Sequence, residues 1–294
     1  MSITHVYLSP HLDDAALSCG GTIWEQTQAG QRVIVINVFA GIPDYRRLPA
    51  FAQEKHAIWG SPQDVVAARR AEDRTALTRL GAQVVNWDYL DAIYRLDGGR
   101  VMYPDEAGIF GQVDPADSVL HDRIATDVEV VLGEVGDAVC YAPLAIGNHV
   151  DHQVVRDVGL TLMERGRRVL FYEDFPYVWW EVAGTSGGRG EAGRGAGGRG
   201  EAGRIEGSSE EGPPLRPASP LHRPASPLPD GWQPTIHSVD VAPKIAAIAC
   251  YTSQVTDLFD SQEAMAEAVR SYARLVGTDH HAERFWHFVG TTYH

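Results

Sequence analysis

Near the start of the chain, Ser9-Pro10-His11-Leu12-Asp13-Asp14 crowds one imidazole and two carboxylates into a single turn. Far along the chain, His149-Val150-Asp151-His152 crowds two imidazoles and a carboxylate into another. Imidazole nitrogens and carboxylate oxygens are donors that zinc accepts, and a catalytic zinc usually takes three protein ligands and leaves a fourth position for water. His11 and Asp14 from the first turn, with His152 from the second, would make such a set. Metal at the open position can lower the pKa of water to roughly 7. Asp13, beside the ligands but outside the set, is then free to take the proton as general base. His149 is placed to donate a hydrogen bond or a proton to the oxyanion or the leaving amine. Asp151 would orient His149 or His152, as carboxylates do for metal-bound imidazoles. Zn2+ is the expected ion, with Fe2+ or Co2+ accepted by the same donors. The plainer alternative is that Asp13 or Asp14 only caps a helix. Two unrelated caps would not both need histidines beside their carboxylates.

Both clusters need elements that bring them together. The first follows the apolar run Val6-Tyr7-Leu8 and precedes an alanine-rich stretch, which reads as strand, tight turn and helix. The second follows Asp137-Ala138-Val139-Cys140-Tyr141-Ala142-Pro143, a strand, and precedes a helical period from Gln153 to Glu164. Further strands are expected at Arg32 to Gly41, Val84 to Trp87, Arg168 to Asp174 and Pro234 to Val241, with helices over Pro62 to Leu80, Ser118 to Leu132, Val241 to Cys250 and Ser261 to Val276. Residues 42 to 61 read as a loop able to cover a site. Strands alternating with helices, several of them continuous β-branched runs, predict an α/β, Rossmann-like fold with a mostly parallel sheet and helices on both faces. In such a fold ligands bind outside the carboxyl ends of the strands, where both clusters fall.

Residues 184 to 230 break this pattern. Gly187 to Arg194 recurs word for word at Gly197 to Arg204, and Arg216 to His222 recurs nearly unchanged from Arg223. Such a stretch offers few side chains for a core, so it reads as a disordered insertion in a single domain made of residues 1–183 and 231–294.

The 294 residues suffice for a sizeable core, and a net charge of -14 argues against a nucleic-acid partner. It fits a neutral or cationic small molecule. No basic segment leading into an apolar core opens the chain, and no apolar run reaches membrane-spanning length, so membrane insertion is not expected and the cytoplasm is the expected compartment. Cys19, Cys140 and Cys250 read as buried free thiols rather than a disulfide framework. A nucleotide-dependent Rossmann enzyme is disfavoured, because Gly20-Gly21 lacks the G-x-G-x-x-G spacing and Asp13 and Asp14 would repel a pyrophosphate. Tyr177, Trp179 and Trp180 suit either a sugar platform or the core.

The P-H-L-D-D turn, the H-V-D-H turn and the strand end Phe39-Ala40-Gly41 resemble those of the zinc-dependent de-N-acetylases of the PIG-L or LmbE type. The resemblance extends to Arg69-Arg70-Ala71-Glu72 running to Leu80-Gly81, and to the segment Lys244 to Gln254. It implies hydrolysis of an N-acetyl group from an N-acetylglucosamine-like amino-sugar conjugate, with metal on His11, Asp14 and His152, Asp13 as base, and help from His149 with Asp151 behind it. It also implies that Arg69 binds substrate, whereas on the residues alone Arg69 could instead pair with Glu72 or Asp73 on its own helix. Leu12 stands where many members have proline, and the Gly/Arg repeat has no counterpart. An amidase acting on a thiol-sugar conjugate, or a non-catalytic sugar- or metal-binding module, are the alternatives on the same fold. The free carboxylate of Asp13 disfavours the second.

Overall fold

The computed structural model describes residues 3–60, 64–184 and 231–289. Its strands are β1 (Thr4–Ser9), β2 (Arg32–Asn37), β3 (Gln83–Asn86), β4 (Leu96–Asp97), β5 (Arg100–Val101), β6 (Ala138–Pro143), β7 (Val169–Tyr172), β8 (Trp232–Ser238) and β9 (Ala282–Phe288). Its helices are α1 (Asp14–Gln28), α2 (Ala50–Ile58), α3 (Val65–Arg79), α4 (Glu106–Ile109), α5 (Ser118–Val135), α6 (Val150–Glu164), α7 (Tyr177–Ala183), α8 (Val241–Ile248), α9 (Thr252–Phe259) and α10 (Gln262–Gly277). Seven strands form one sheet in the order β3-β2-β1-β6-β7-β9-β8, and β4 and β5 make a separate small hairpin. The pairs from β3 through β7 are parallel, while β9 runs antiparallel to both β7 and β8.

Because side chains alternate along a strand, β1 feeds two cores. Val6 and Leu8 pack with Ile124 and Val128 of α5 and Val155 and Val158 of α6. Tyr7 packs on the other face with Ala16 and Cys19 of α1 and Leu77 of α3. Each fully buried side chain of this kind contributes about 1.5–3 kcal/mol. From β1 the chain crosses by α1 to β2 on one side, and the later crossover through α5 places β6 on the other. Neighbouring crossovers that diverge leave a crevice at the carboxyl ends of β1 and β6, and the two polar turns lie there.

The helix carrying His152 sits close to the sheet because Gly159 lacks a side chain. A Cβ at that position would fall 2.7 Å from Ala142 Cβ and 2.8 Å from Phe171 Cε1.

Several expectations need correcting. Residues 42 to 60 are not loop throughout: α2 occupies Ala50–Ile58, buries Phe51, Ala52 and His56, and starts directly after Pro49, a residue well tolerated at a helix start. Helix α6 begins at Val150, so Asp151 and His152 lie in its first turn rather than in the preceding loop. The stretch after α8 holds a further helix, α9, and the alternating Ala282 to Phe288 run is a strand that the sequence reading passed over. Cys250 is half-buried beside Arg79, unlike the buried Cys19 and Cys140. The repeats lie in 185–230, outside the described residues.

Candidate active site

The turn after β1 is tied by its own backbone and by Ser9. The Ser9 hydroxyl donates to His11 O at 2.7 Å and accepts the Ala15 amide at 3.0 Å. Asp13 occupies the N-cap position of α1 with φ 133° and makes no side-chain capping bond. The Asp14 carboxylate instead accepts the His11 amide at 2.8 Å, which turns it back toward the crevice. Neither aspartate caps the helix with its side chain. A non-glycine residue at this φ stores roughly 1–3 kcal/mol of strain, a pattern concentrated at functional sites.

Asp14 Oδ2 lies 3.3 Å from His11 Nδ1 and 3.2 Å from His152 Nε2. Donors about 2.0–2.2 Å from a shared tetrahedral ion stand roughly 3.3–3.6 Å apart, so the first separation meets that spacing and the second falls just short of it. His152 Nε2 is buried and lacks a hydrogen bond of good geometry, as a ligand nitrogen does before it is metallated. Each of the two imidazoles is backed at its other nitrogen by a carboxylate. His152 Nδ1 is 2.7 Å from Asp174 Oδ1, and Asp174 Oδ2 accepts the Ile146 amide at 2.9 Å. His11 Nε2 is 2.9 Å from Asp151 Oδ2, which also accepts the Ala92 amide at 3.0 Å. Asp151 therefore backs His11, not His149 or His152 as the sequence suggested. The physical reason is that Asp151, in the first turn of α6, faces the β1 turn across the crevice.

His149 caps α6, its Nδ1 accepting the Asp151 amide at 3.2 Å. That leaves the proton of the neutral ring on Nε2. Ring nitrogens of His11, His149 and His152 lie within 4.8 Å of one another, which makes His149 a geometric rival to Asp14 as third ligand. With Nδ1 spent on the cap and, among the described residues, no carboxylate bonded to the ring, His149 is better equipped to donate than to ligate. Burial, and then the neighbouring His11, hold it well below the ordinary histidine range, so it is a neutral donor.

Asp13 is buried, and burial pushes its carboxyl up to about 8 even though Arg69 pulls the other way. Burial would lower His152, but Asp14 and Asp174 outweigh it and hold the ring up at about 9. The same carboxylates that retain a proton there would hold a cation, and loading metal must displace the proton. Arg69 donates to Leu12 O at 3.2 Å, approaches Asp13 Oδ2 at 3.5 Å, and lies 4.6 Å over the Trp59 ring. It pairs with neither helix neighbour: Glu72 accepts from Thr252 and Ser253, and Asp73 from Asn37 and Tyr251. Arg70 turns away to Ala40 O and Asp88.

The sequence reading missed Asp174, Asp91, Arg95 and Phe110. Asp174 could have been found, since it ends a recognised strand beside β6. Asp91 Oδ2 is 3.7 Å from His11 Nε2, and Phe110 sets its edge 5.3 Å from the His149 ring. Tyr177 lies 5.7 Å from His152 and 5.4 Å from Trp180, whereas Trp179 packs on the core beneath α10.

Known proteins resemble this chain in sequence and in fold. The sequence profile of the PIG-L family, described as GlcNAc-PI de-N-acetylase, matches residues 6–163, more than half of the 294. The chain belongs to the PIG-L family. The resemblance carried by the two turns, the Phe39-Ala40-Gly41 strand end and the later segments is therefore one of common family. This PIG-L member is 36% identical over 186 residues to a 2'-N-acetylparomamine deacetylase of Niallia circulans, a match covering 58% of this chain and 66% of that one. It is 29% identical over 183 residues to the enzyme of the same name from Streptomyces fradiae, covering 58% and 56%. In structure it superposes on the zinc-inhibited form of teicoplanin deacetylase with TM-score 0.73 and 27% identity, over 96% of this chain and 97% of the other.

Proposed function

We propose that this protein is a metal-dependent hydrolase that removes the N-acetyl group from an amino-sugar conjugate, with zinc as its ion. One observation carries the reading. Two imidazoles converge on one Asp14 oxygen while a separate buried carboxylate backs each at its far nitrogen. This is the outer-shell pattern of a histidine metal site. His11, Asp14 and His152 would hold the ion, which supplies Lewis acidity at the acetyl carbonyl and acidifies a water. Asp13, buried beside the ligands and poised near neutrality, takes the proton of the attacking water and can return it to the departing amine. The Nε2–H of His149 donates to the oxyanion as it develops. Arg69 holds the Leu12 carbonyl and Asp13 in place and supports substrate from the Trp59 side.

The named substrates of the relatives, 2'-N-acetylparomamine and teicoplanin, support an N-acetylated sugar on a larger aglycone. The acidic balance of the chain suits one that carries amines. No helix of the described residues is long and apolar enough to cross a membrane, which supports a cytoplasmic small-molecule enzyme. Strands β8 and β9 complete the sheet against β7, which supports one domain made of 1–183 and 231–294 with the repeats as an insertion.

The test is acetate release from a panel of N-acetyl amino sugars, together with metal analysis of the purified protein. Wild type should carry about one divalent ion and release acetate, and Asp13→Ala should keep the ion while turnover falls about 10²–10⁴-fold. Near-normal turnover in that variant would remove Asp13 from the mechanism.

A further inference from the structure

We infer that Arg95, remote in sequence from both turns, is a positioning residue that sets the ring of His11 through Asp151. The inference rests on the reading of His11 as a metal ligand. Arg95 is buried, with Nη2 2.6 Å from Asp151 Oδ1 and 2.9 Å from Asp117 Oδ2. Its Nη1 donates to Leu90 O at 3.2 Å, and the guanidinium lies over the rings of Phe39 and Tyr103 at 5.0 and 5.3 Å. Asp117 is fixed in turn by the Tyr103 hydroxyl at 2.8 Å. The two Nη2 contacts lack full hydrogen-bond geometry, so the carboxylates hold the guanidinium chiefly by charge.

Asp151 is thereby held from two sides, Oδ1 by Arg95 and Oδ2 by the Ala92 amide. In that orientation Oδ2 meets His11 Nε2 at 2.9 Å. A carboxylate can only accept there, so Nε2 carries the proton of that bond and the ring turns Nδ1 toward Asp14. Without Arg95, one side of Asp151 loses its partner and the carboxylate can turn about its side-chain bonds. Its hold on the orientation of the His11 ring then weakens. Stability alone does not account for so many buried charges, because apolar side chains of similar volume often replace a buried ion pair without loss. What apolar side chains could not do is orient Asp151.

The test uses the full chain and four variants: Arg95→Met, Arg95→Lys, Asp117→Asn and His11→Ala. Zn2+ and Co2+ affinities are measured by competition with a chelator. Arg95→Met should lose about 10–100-fold in metal affinity, the usual effect of removing an outer-shell partner. Arg95→Lys, which can still place a charge between Asp117 and Asp151, should regain most of the affinity. An Arg95→Met protein with wild-type affinity overturns the inference. If Arg95→Met does not fold, Asp117→Asn carries the test, with unchanged affinity again overturning it. A His11→Ala protein that keeps wild-type metal affinity would sink the ligand reading instead, whereas unchanged affinity in Arg95→Met beside a loss in His11→Ala would sink only the inference.

Discussion

The two histidines that face Asp14 are backed in different ways. His152 leans on Asp174 at the end of β7, and Asp174 needs only the Ile146 amide to hold it. That half of the site is built from the central sheet. His11 leans on Asp151, which is held by Arg95 and the Ala92 amide, with Asp117 behind Arg95, all from the segment between β3 and α5. A parallel sheet can supply one outer carboxylate by its own topology. The second had to be fixed by a segment outside the sheet.

The largest effects expected from this contrast are in metal affinity and stability. Asp174→Asn and Asp151→Asn should each weaken metal binding about 10–100-fold. Their costs to the metal-free protein should differ. Asparagine at 174 breaks one buried charge pair, with His152, whereas asparagine at 151 breaks two, with Arg95 and His11, and each broken pair costs about 3–5 kcal/mol. Denaturant unfolding of both metal-free variants checks the order, and a costlier Asp174→Asn would reverse the comparison.

A pH series sharpens it further. Asp13 must be ionised to act as base, so turnover should rise with pH along a limb lying between its unperturbed 3.8 and about 8. Bound metal moves that limb toward the lower end, because a nearby cation favours the carboxylate. The sign for stability is opposite. Its folded pKa is raised, so the stability it contributes is fully present below 3.8 and is lost as pH rises through about 8. Rate profiles of the loaded enzyme and unfolding profiles of the metal-free protein should therefore slope in opposite directions for this group. A rate that falls with rising pH over that window would exclude Asp13 as base. The smallest effect belongs to residues 185–230: deleting them should leave turnover and melting temperature unchanged, and a folded but inactive deletion protein would give that stretch a role in the site.

How far the sequence could be read follows the same division. The parallel strands and both polar turns were legible because each is a local pattern, an apolar run followed by histidine and aspartate at a turn. Strand β9 and helix α9 were not, since a short alternating run or a single amphipathic pair of turns carries little signal without its partners. Asp174 was in view as the end of a strand, yet only the β6–β7 pairing tells which histidine it backs. Arg95 had no local mark at all, being one cation in a polar connection, and its meaning comes entirely from contacts far away in sequence.

The backbone at Asp13 has a consequence for how this protein pays for its chemistry. At φ 133° glycine would be the comfortable occupant, and a chain optimised for folding alone would carry one there. Keeping an aspartate holds the first turn of α1 at a higher energy than it needs. Gains in thermal tolerance at this position would therefore come at the expense of turnover, so the site marks a point where activity and robustness pull the sequence in opposite directions.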